Sequence, residues 1–307
     1  MRIGLMHGDA GSFTIAEQIQ QVVDEEKDGF ECAWWGQIFG GDSMTIIALA
    51  GQRTKTIEMG TSVIPTYPRH PFAMAQQAMT VQAACDGRFV LGVGPSHQVV
   101  VETMWGMSYA KPARHIREYL QVLIPLVREG RVQFSGEVYK VMGGIAVAGM
   151  KPLPVLISAL APQMLKLAGT LADGTVTWMT GPKTVETHIV PSITAAAKEA
   201  GRPAPRVAVG LPICVTEDVA AAREIAGKAL AMYGALPNYK RMLDKEGVSG
   251  PADVAVVGNE AQVEQQIRDL ASTGATDLIA PIFPTGAHPA ESVARTRALL
   301  KSLIGKV

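Results

Sequence analysis

The stretch Ile57-Glu58-Met59-Gly60-Thr61-Ser62-Val63-Ile64-Pro65-Thr66-Tyr67-Pro68-Arg69-His70-Pro71 decides the fold. Its first half is a short run rich in β-branched and apolar residues, the composition of a strand buried on both faces. Its second half turns polar and proline-rich, then hands over to a helix at Pro71, a residue suited to a first helical turn. A second segment, Arg88-Phe89-Val90-Leu91-Gly92-Val93-Gly94-Pro95-Ser96-His97, repeats the pattern by ending an apolar run in small and polar residues. Two parallel strands that end this way floor a ligand site at the C-terminal mouth of a barrel.

Outward from these two segments, apolar runs alternate with amphipathic ones along the whole chain. Strands are expected at 2–6, 31–35, 57–63, 88–93, 154–158, 174–178, 206–215 and 277–282. Helical periodicity covers 15–27, 43–52, 72–84, 113–128, 163–171, 184–200, 219–233 and 261–272, and a last helix, 290–304, closes the chain. Eight Val/Ile/Leu-rich strands separated by helices imply parallel pairing with both faces covered, and a (β/α)8 TIM barrel is the simplest closure. A doubly wound open sheet is the alternative, but the first strand–helix turn carries no GxGxxG. Gly29 and Gly201 stand just past helices, where a left-handed cap is wanted. Residues 132–141 alternate at period two around Ser135-Gly136, which predicts a small β-hairpin between helix four and strand five. Residues 234–257 exceed an ordinary loop, and 236–246 reads as extra helix inserted after strand seven, placed to build a lid or an oligomer contact. No composition shift or linker divides residues 1–307, so one domain is expected.

Composition narrows the function classes. The 307 residues balance Lys+Arg and Asp+Glu at 28 each, so no global field favours nucleic acid or an anionic membrane. Only 18% are charged, against about a quarter usually, which fits a surface partly covered in an oligomer such as a homodimer. Cys32, Cys85 and Cys214 are odd in number, far apart and without a CxxC, and read as buried reduced thiols. Met1 to Leu5 enters a strand with no basic or apolar leader ahead of it, and no apolar run approaches bilayer length. The expectation is a soluble cytoplasmic protein.

The candidate site residues are those just past each strand: His7 and Asp9, Gln37, Ser62 to Pro65, Gly94 to His97, Ser158 to Gln163, Thr177 to Pro182, Pro212, and Pro281 to Pro284. In Ser158-Ala159-Leu160-Ala161-Pro162-Gln163-Met164 a strand ends and a helix opens near Pro162, so free N–H groups and the helix dipole would suit a phosphate. The plainer reading makes Ser158 an N-cap. Walker A, HExxH, zinc-spaced Cys/His and GxSxG patterns are all missing from the sequence. Glu25-Glu26, flanked by Asp24, Lys27 and Asp28, reads as a solvated helix face.

Together, residues 57–71 and 88–97 resemble the luciferase-like monooxygenase superfamily, and within it the oxidoreductases that use the deazaflavin F420. The resemblance runs from Ile3-Gly4-Leu5 to Val257-Gly258-Asn259-Glu260-Ala261-Gln262-Val263. It implies that strand three, after Thr61, bulges through a non-proline cis peptide between Ser62 and Val63 that supports the cofactor ring. It implies further contacts from Gly94, Ser96 and His97, and a phosphate held by Ser158, Ala159, Leu160 and Gln163. The segment from Asp173 to Pro182 resembles the family's Ala-Asp-Gly element, which brings Thr177, Trp178 and Thr180 towards the cofactor tail.

His97 is the expected catalytic residue, since imidazole titrates near neutrality and can exchange a proton during hydride transfer. His7 ranks second, His70 reads as a helix cap, and His288 has no special claim. Many relatives end strand two with an Asp-His-type pair, whereas this chain has Gln37-Ile38. That substitution points away from sugar-phosphate dehydrogenation and towards a small organic substrate, with Gln37 bonding the deazaflavin or substrate. The expected activity is hydride transfer between deazaflavin C5 and that substrate. One alternative is an FMN-dependent two-component monooxygenase fed by a partner flavin reductase. The other is a non-catalytic barrel that binds a flavin or F420.

Overall fold

The eight apolar runs form eight parallel strands. These are β1 (Arg2–His7), β2 (Cys32–Trp35), β3 (Glu58–Thr61), β4 (Phe89–Gly94), β5 (Val155–Ser158), β6 (Gly174–Trp178), β7 (Arg206–Gly210) and β8 (Asp277–Ala280). Each pairs with the next in parallel, and β1 pairs with β8 with Gly4 opposite Ile279, so the sheet closes into a barrel. This is the expected TIM barrel. The computed structural model describes residues 1–8, 13–37 and 39–307. The candidates Asp9 and Ile38 therefore lie outside the described residues.

Strand alternation sorts the side chains. Cys32, Trp34, Val90, Leu156, Val176, Ala208 and Ile279 point inward and fill the barrel, while their neighbours Ala33, Trp35 and Leu91 pack against the helices. Trp34 is large for this interior, and Gly60 explains how it fits, because a Cβ there would collide with the indole ring. At the N-terminal mouth, Arg206 donates to Asp277 at 2.7 and 2.8 Å and to Glu58 at 2.6 Å. Arg2 bridges the same two carboxylates at 3.1 and 2.7 Å, and Arg206 also lies over the Trp34 ring.

The helices are α1 (Ile15–Asp28), α2 (Ser43–Gly51), α3 (Pro71–Ala84), α4 (Pro112–Glu129), α5 (Pro162–Thr170), α6 (Val190–Glu199), α7 (Val219–Ala235), α8 (Pro237–Glu246), α9 (Glu260–Ser272) and α10 (Pro289–Leu303). Gly29 and Gly201 adopt the left-handed conformation expected of them, with φ of 89° and 65°. The hairpin between α4 and β5 pairs Arg131–Ser135 with Lys140–Gly144, and α8 is the inserted helix. All three cysteines are free and buried. No described helix is long and apolar enough to cross a membrane.

Four local expectations are corrected. The strand expected at 57–63 stops at Thr61; the cis Ser62–Val63 peptide that the resemblance implied follows it, and the chain resumes as Ile64–Pro65 beside β4. The run 206–215 splits at Pro212, which has no N–H for a ladder; Ile213–Val215 instead pairs with Val256–Gly258 outside the barrel. The helix expected at 184–200 starts at Pro182 and passes through a π-helical turn, Val185–Ile189, before α6. Glu25-Glu26 is not a solvated pair. Glu25 is buried against His7, and Glu26 accepts the N–H groups of Lys55, Thr56 and Ile57 at 2.8, 2.6 and 3.0 Å. Burial opposes the charge on Glu26, but those donors outweigh it and pull its pKa down to about 2.

Candidate active site

The C-terminal ends of β3 to β6, with the first turns of α4 and α5, enclose a cavity of about 300 Å³. One edge is the cis Ser62–Val63 peptide, whose Ser62 N–H donates to the Trp35 carbonyl at 2.7 Å. Thr61 fixes that edge from below. Its hydroxyl accepts the Gly92 N–H and donates to the Gly92 carbonyl, both at 2.8 Å. Gly94 continues the cradle, because a Cβ there would strike Ser158 Oγ and Val63.

Past β4 the backbone of Ser96 turns left-handed, with φ of 60°, and its carbonyl accepts the Tyr109 hydroxyl at 3.2 Å. His97 follows on the cavity wall. Its carbonyl accepts the N–H groups of Val100 and Val101, which opens a π-helical turn at Val100–Met104. The imidazole faces the rings of Tyr239 and Tyr233 at 5.8 and 6.3 Å. Burial lowers its pKa below the ordinary 6.5, so it is neutral at pH 7.

On the opposite wall, α5 opens at Ala161 in an extended conformation, with Pro162 in its first turn and no side chain capping it. Ser158 is therefore not the N-cap; it lines the cavity, with Leu160, Ala161, Gln163 and Met164 beside it. Ser62 Oγ, Thr177 Oγ1 and Trp178 Nε1 are buried with no hydrogen-bond partner among the described residues, and all three residues line the cavity. An unmet buried polar group costs about 1–3 kcal/mol, which a ligand that supplies partners would recover.

The structure brings together Ser62, Val63, Ser96, His97, Ser158, Leu160, Gln163, Thr177 and Trp178 around one space. Five residues expected to contact or support the cofactor stand outside the lining, as do Pro212 and the segment 281–284. Thr61 and Gly94 support it from behind, as described. The Ala159 carbonyl accepts the buried Thr175 hydroxyl at 3.4 Å. Thr180 lies beyond Met179, whose left-handed backbone reverses the chain, and its hydroxyl donates to the Trp178 carbonyl. Gln37 also stands outside the lining. Its carboxamide oxygen accepts the Ser43 N–H at 3.1 Å and anchors the start of α2.

His7 is buried, stacked on Trp35, and bonded to Glu25 at 3.0 Å. Burial alone would depress its pKa, yet the Glu25 charge and hydrogen bond win and raise it. Its role is to join β1 to α1. His70 caps α3 as expected, with Nδ1 accepting the Phe72 N–H, and His288 is exposed. The cavity residues that sequence reading passed over are chiefly Tyr109, Asn238 and Tyr239. Polar-tipped aromatics in a loop and on the inserted helix were the available signal. No metal-ligating cluster occurs among the described residues.

A family model described as luciferase-like monooxygenase matches residues 1–277. The chain belongs to that family. Its membership sets the protein among oxidoreductases. The 5,10-methylenetetrahydromethanopterin reductase of Archaeoglobus fulgidus is 29% identical over 294 residues, which span 92% of this chain and 85% of the relative. The coenzyme F420-dependent tetrahydromethanopterin reductase of Methanopyrus kandleri shares the fold with a TM-score of 0.80 at 22% identity, covering 99% of this chain and 98% of its own. The fold is also that of the oxygenating constituent of 3,6-diketocamphane monooxygenase from Pseudomonas putida, solved with FMN. That likeness has a TM-score of 0.74 at 17% identity and covers 100% and 97% of the two chains. The barrel is thus shared with a coenzyme F420-dependent reductase and with a monooxygenase constituent solved with FMN.

Proposed function

We propose that the protein is an F420-dependent oxidoreductase that moves a hydride between the deazaflavin and a small, uncharged organic substrate. The observation that carries this reading is the cavity itself. Its floor is Ser62 and Val63, backed by Gly94, an uncapped helix N-terminus opens into it, and three buried polar atoms lack partners. Ser62 and Val63, with Gly94 behind them, would take the flat ring. Ser158, Gln163 and the first turn of α5 would take the phosphodiester. Thr177 and Trp178 would donate to oxygens of the linking chain. When bound, the deazaflavin supplies a hydride donor or acceptor at C5.

The chain's own residues do the rest. Leu160, Met164 and Val176 give the cavity apolar walls that exclude water. Neutral His97 accepts the proton of a substrate hydroxyl as it is oxidised, and in the reverse direction the protonated imidazole gives a proton to the oxygen of the carbonyl being reduced. Neither a carboxylate nor a lysine or arginine lines the cavity among the described residues, which favours an uncharged reacting end.

Methanopterin reductases among the relatives support F420 as the cofactor. The FMN-bound neighbour favours a second reading, a monooxygenase that draws reduced flavin from a partner reductase. Parallel titration with F420 and FMN, followed by tryptophan fluorescence, separates the two, because Trp178 lies in the cavity. Saturable quenching by F420 with weak response to FMN is expected. Selective binding of FMN would replace this reading with the monooxygenase, and binding of neither would sink both.

A further inference from the structure

The central cavity opens in two directions, and the two differ in charge. Towards α8 the rim mixes signs, with Glu102 and Arg241 sharing a recess of about 540 Å³. Towards the cleft between α4 and α5, two recesses of about 300 and 430 Å³ share Ala113 and Gln163 with the cavity. Lys111, Arg114, Arg117 and Lys166 line these two recesses, and no carboxylate does among the described residues. Arg114 is paired with Glu137, while Lys111, Arg117 and Lys166 make no ion pair with described residues. In a chain with 28 cationic and 28 anionic residues, such segregation concentrates a field that the molecule as a whole lacks.

We infer that the cleft between α4 and α5 holds an oligocarboxylate tail that leaves the cavity past Gln163. This rests on the F420 reading, because that coenzyme carries glutamyl residues beyond its phosphodiester and FMN ends at its phosphate. Helix geometry makes the cleft continuous. Ala113, Arg117 and Gln121 repeat every four residues along one face of α4, and Gln163, Lys166 and Thr170 follow the facing stripe of α5. The α4 stripe is about 12 Å long at the rise of an α-helix. Both helices begin at the cavity edge without a side-chain cap, so their positive ends add to the field of the lysines and arginines. Thr177 Oγ1 and Trp178 Nε1, buried and unpartnered on the cavity side, mark where the ligand's polar linker enters this path.

The test compares three probes on the full chain: F420 with its glutamyl tail, the same deazaflavin phospholactate without glutamates, and the deazaflavin riboside. Affinities are read by tryptophan fluorescence at low and high salt, for the wild type and for Arg117→Gln/Lys166→Gln. Both substituted side chains are exposed. The tailed form should bind the wild type roughly tenfold more tightly than the glutamate-free form, and salt should shrink that preference. The double variant should lose the preference while holding the glutamate-free form as the wild type does, which also shows that it folds. Equal affinity of the wild type for the tailed and glutamate-free forms would overturn the groove and leave the cofactor reading intact. Failure of all three deazaflavins while FMN saturates the cavity would overturn both.

Discussion

The two mouths of the barrel are built on opposite principles. At the N-terminal mouth, Arg2, Glu58, Arg206 and Asp277 close on one another, so charge sits in the interior with its partners in place. At the C-terminal mouth, Ser62, Thr177 and Trp178 keep buried polar atoms unmet, and His97 stands on the wall with aromatic neighbours rather than a carboxylate. A region that completes its own bonds contributes stability. One that leaves them open around a cavity gives up stability for binding.

The comparison breaks most visibly at Asp277. Its fully buried carboxylate accepts from Arg2, Arg206 and Thr276. Asp277→Ala strands the Arg206 guanidinium beside Trp34 with Glu58 as its remaining counter-charge. A loss of about 3–5 kcal/mol is expected, the range for breaking a buried pair from one side. Urea unfolding measures it, and cofactor affinity of the folded fraction should not change. A shift under about 1 kcal/mol would mean that water screens this mouth as well, and the contrast would fail.

At the other mouth the expected losses fall on turnover. His97→Ala should lower kcat by about a hundredfold, within the span of general acid–base groups, with little change in cofactor affinity. Equal loss of both would make His97 a binding residue. The pH profile sharpens the assignment. Burial holds the imidazole below its ordinary 6.5, so in the direction of substrate oxidation, where His97 is the base, the wild-type rate should be flat at neutral pH and decline only as acid protonates His97 below that value. The variant should lack this acid limb.

These roles were unevenly legible in the sequence. The barrel was readable because fully buried parallel strands leave uninterrupted apolar runs, and each of the eight was placed within a few residues. The errors lie where one backbone feature overrides composition. Pro212 cuts an apolar run that otherwise reads as a single strand, and the left-handed Met179 turns Thr180 away from the space that Thr177 and Trp178 reach. Local sequence also could not show that Glu25 is buried, because its partner His7 is distant in the chain. The site's front half, Ser62 to His97, came from strand ends. Its back half, Tyr109 and Tyr239, comes from loops and an insertion whose docking only the folded chain defines.

The smallest effect is the most discriminating. Thr177→Val keeps the shape of the side chain and replaces a buried hydroxyl that has no partner with a methyl group. At a site whose only task is packing, removing an unmet polar atom should be neutral or favourable. A gain of up to about 1 kcal/mol in urea unfolding of the free protein is therefore expected. If the hydroxyl is there for a ligand, the same change should weaken cofactor binding by roughly fivefold, the worth of one ordinary hydrogen bond. Stability and affinity then move in opposite directions within one variant. A substitution at the N-terminal mouth, where the polar groups serve the fold alone, cannot produce that pairing. If Thr177→Val instead lost stability and left affinity alone, the hydroxyl would belong to the fold, and the open bonds of this mouth would no longer identify it as the site.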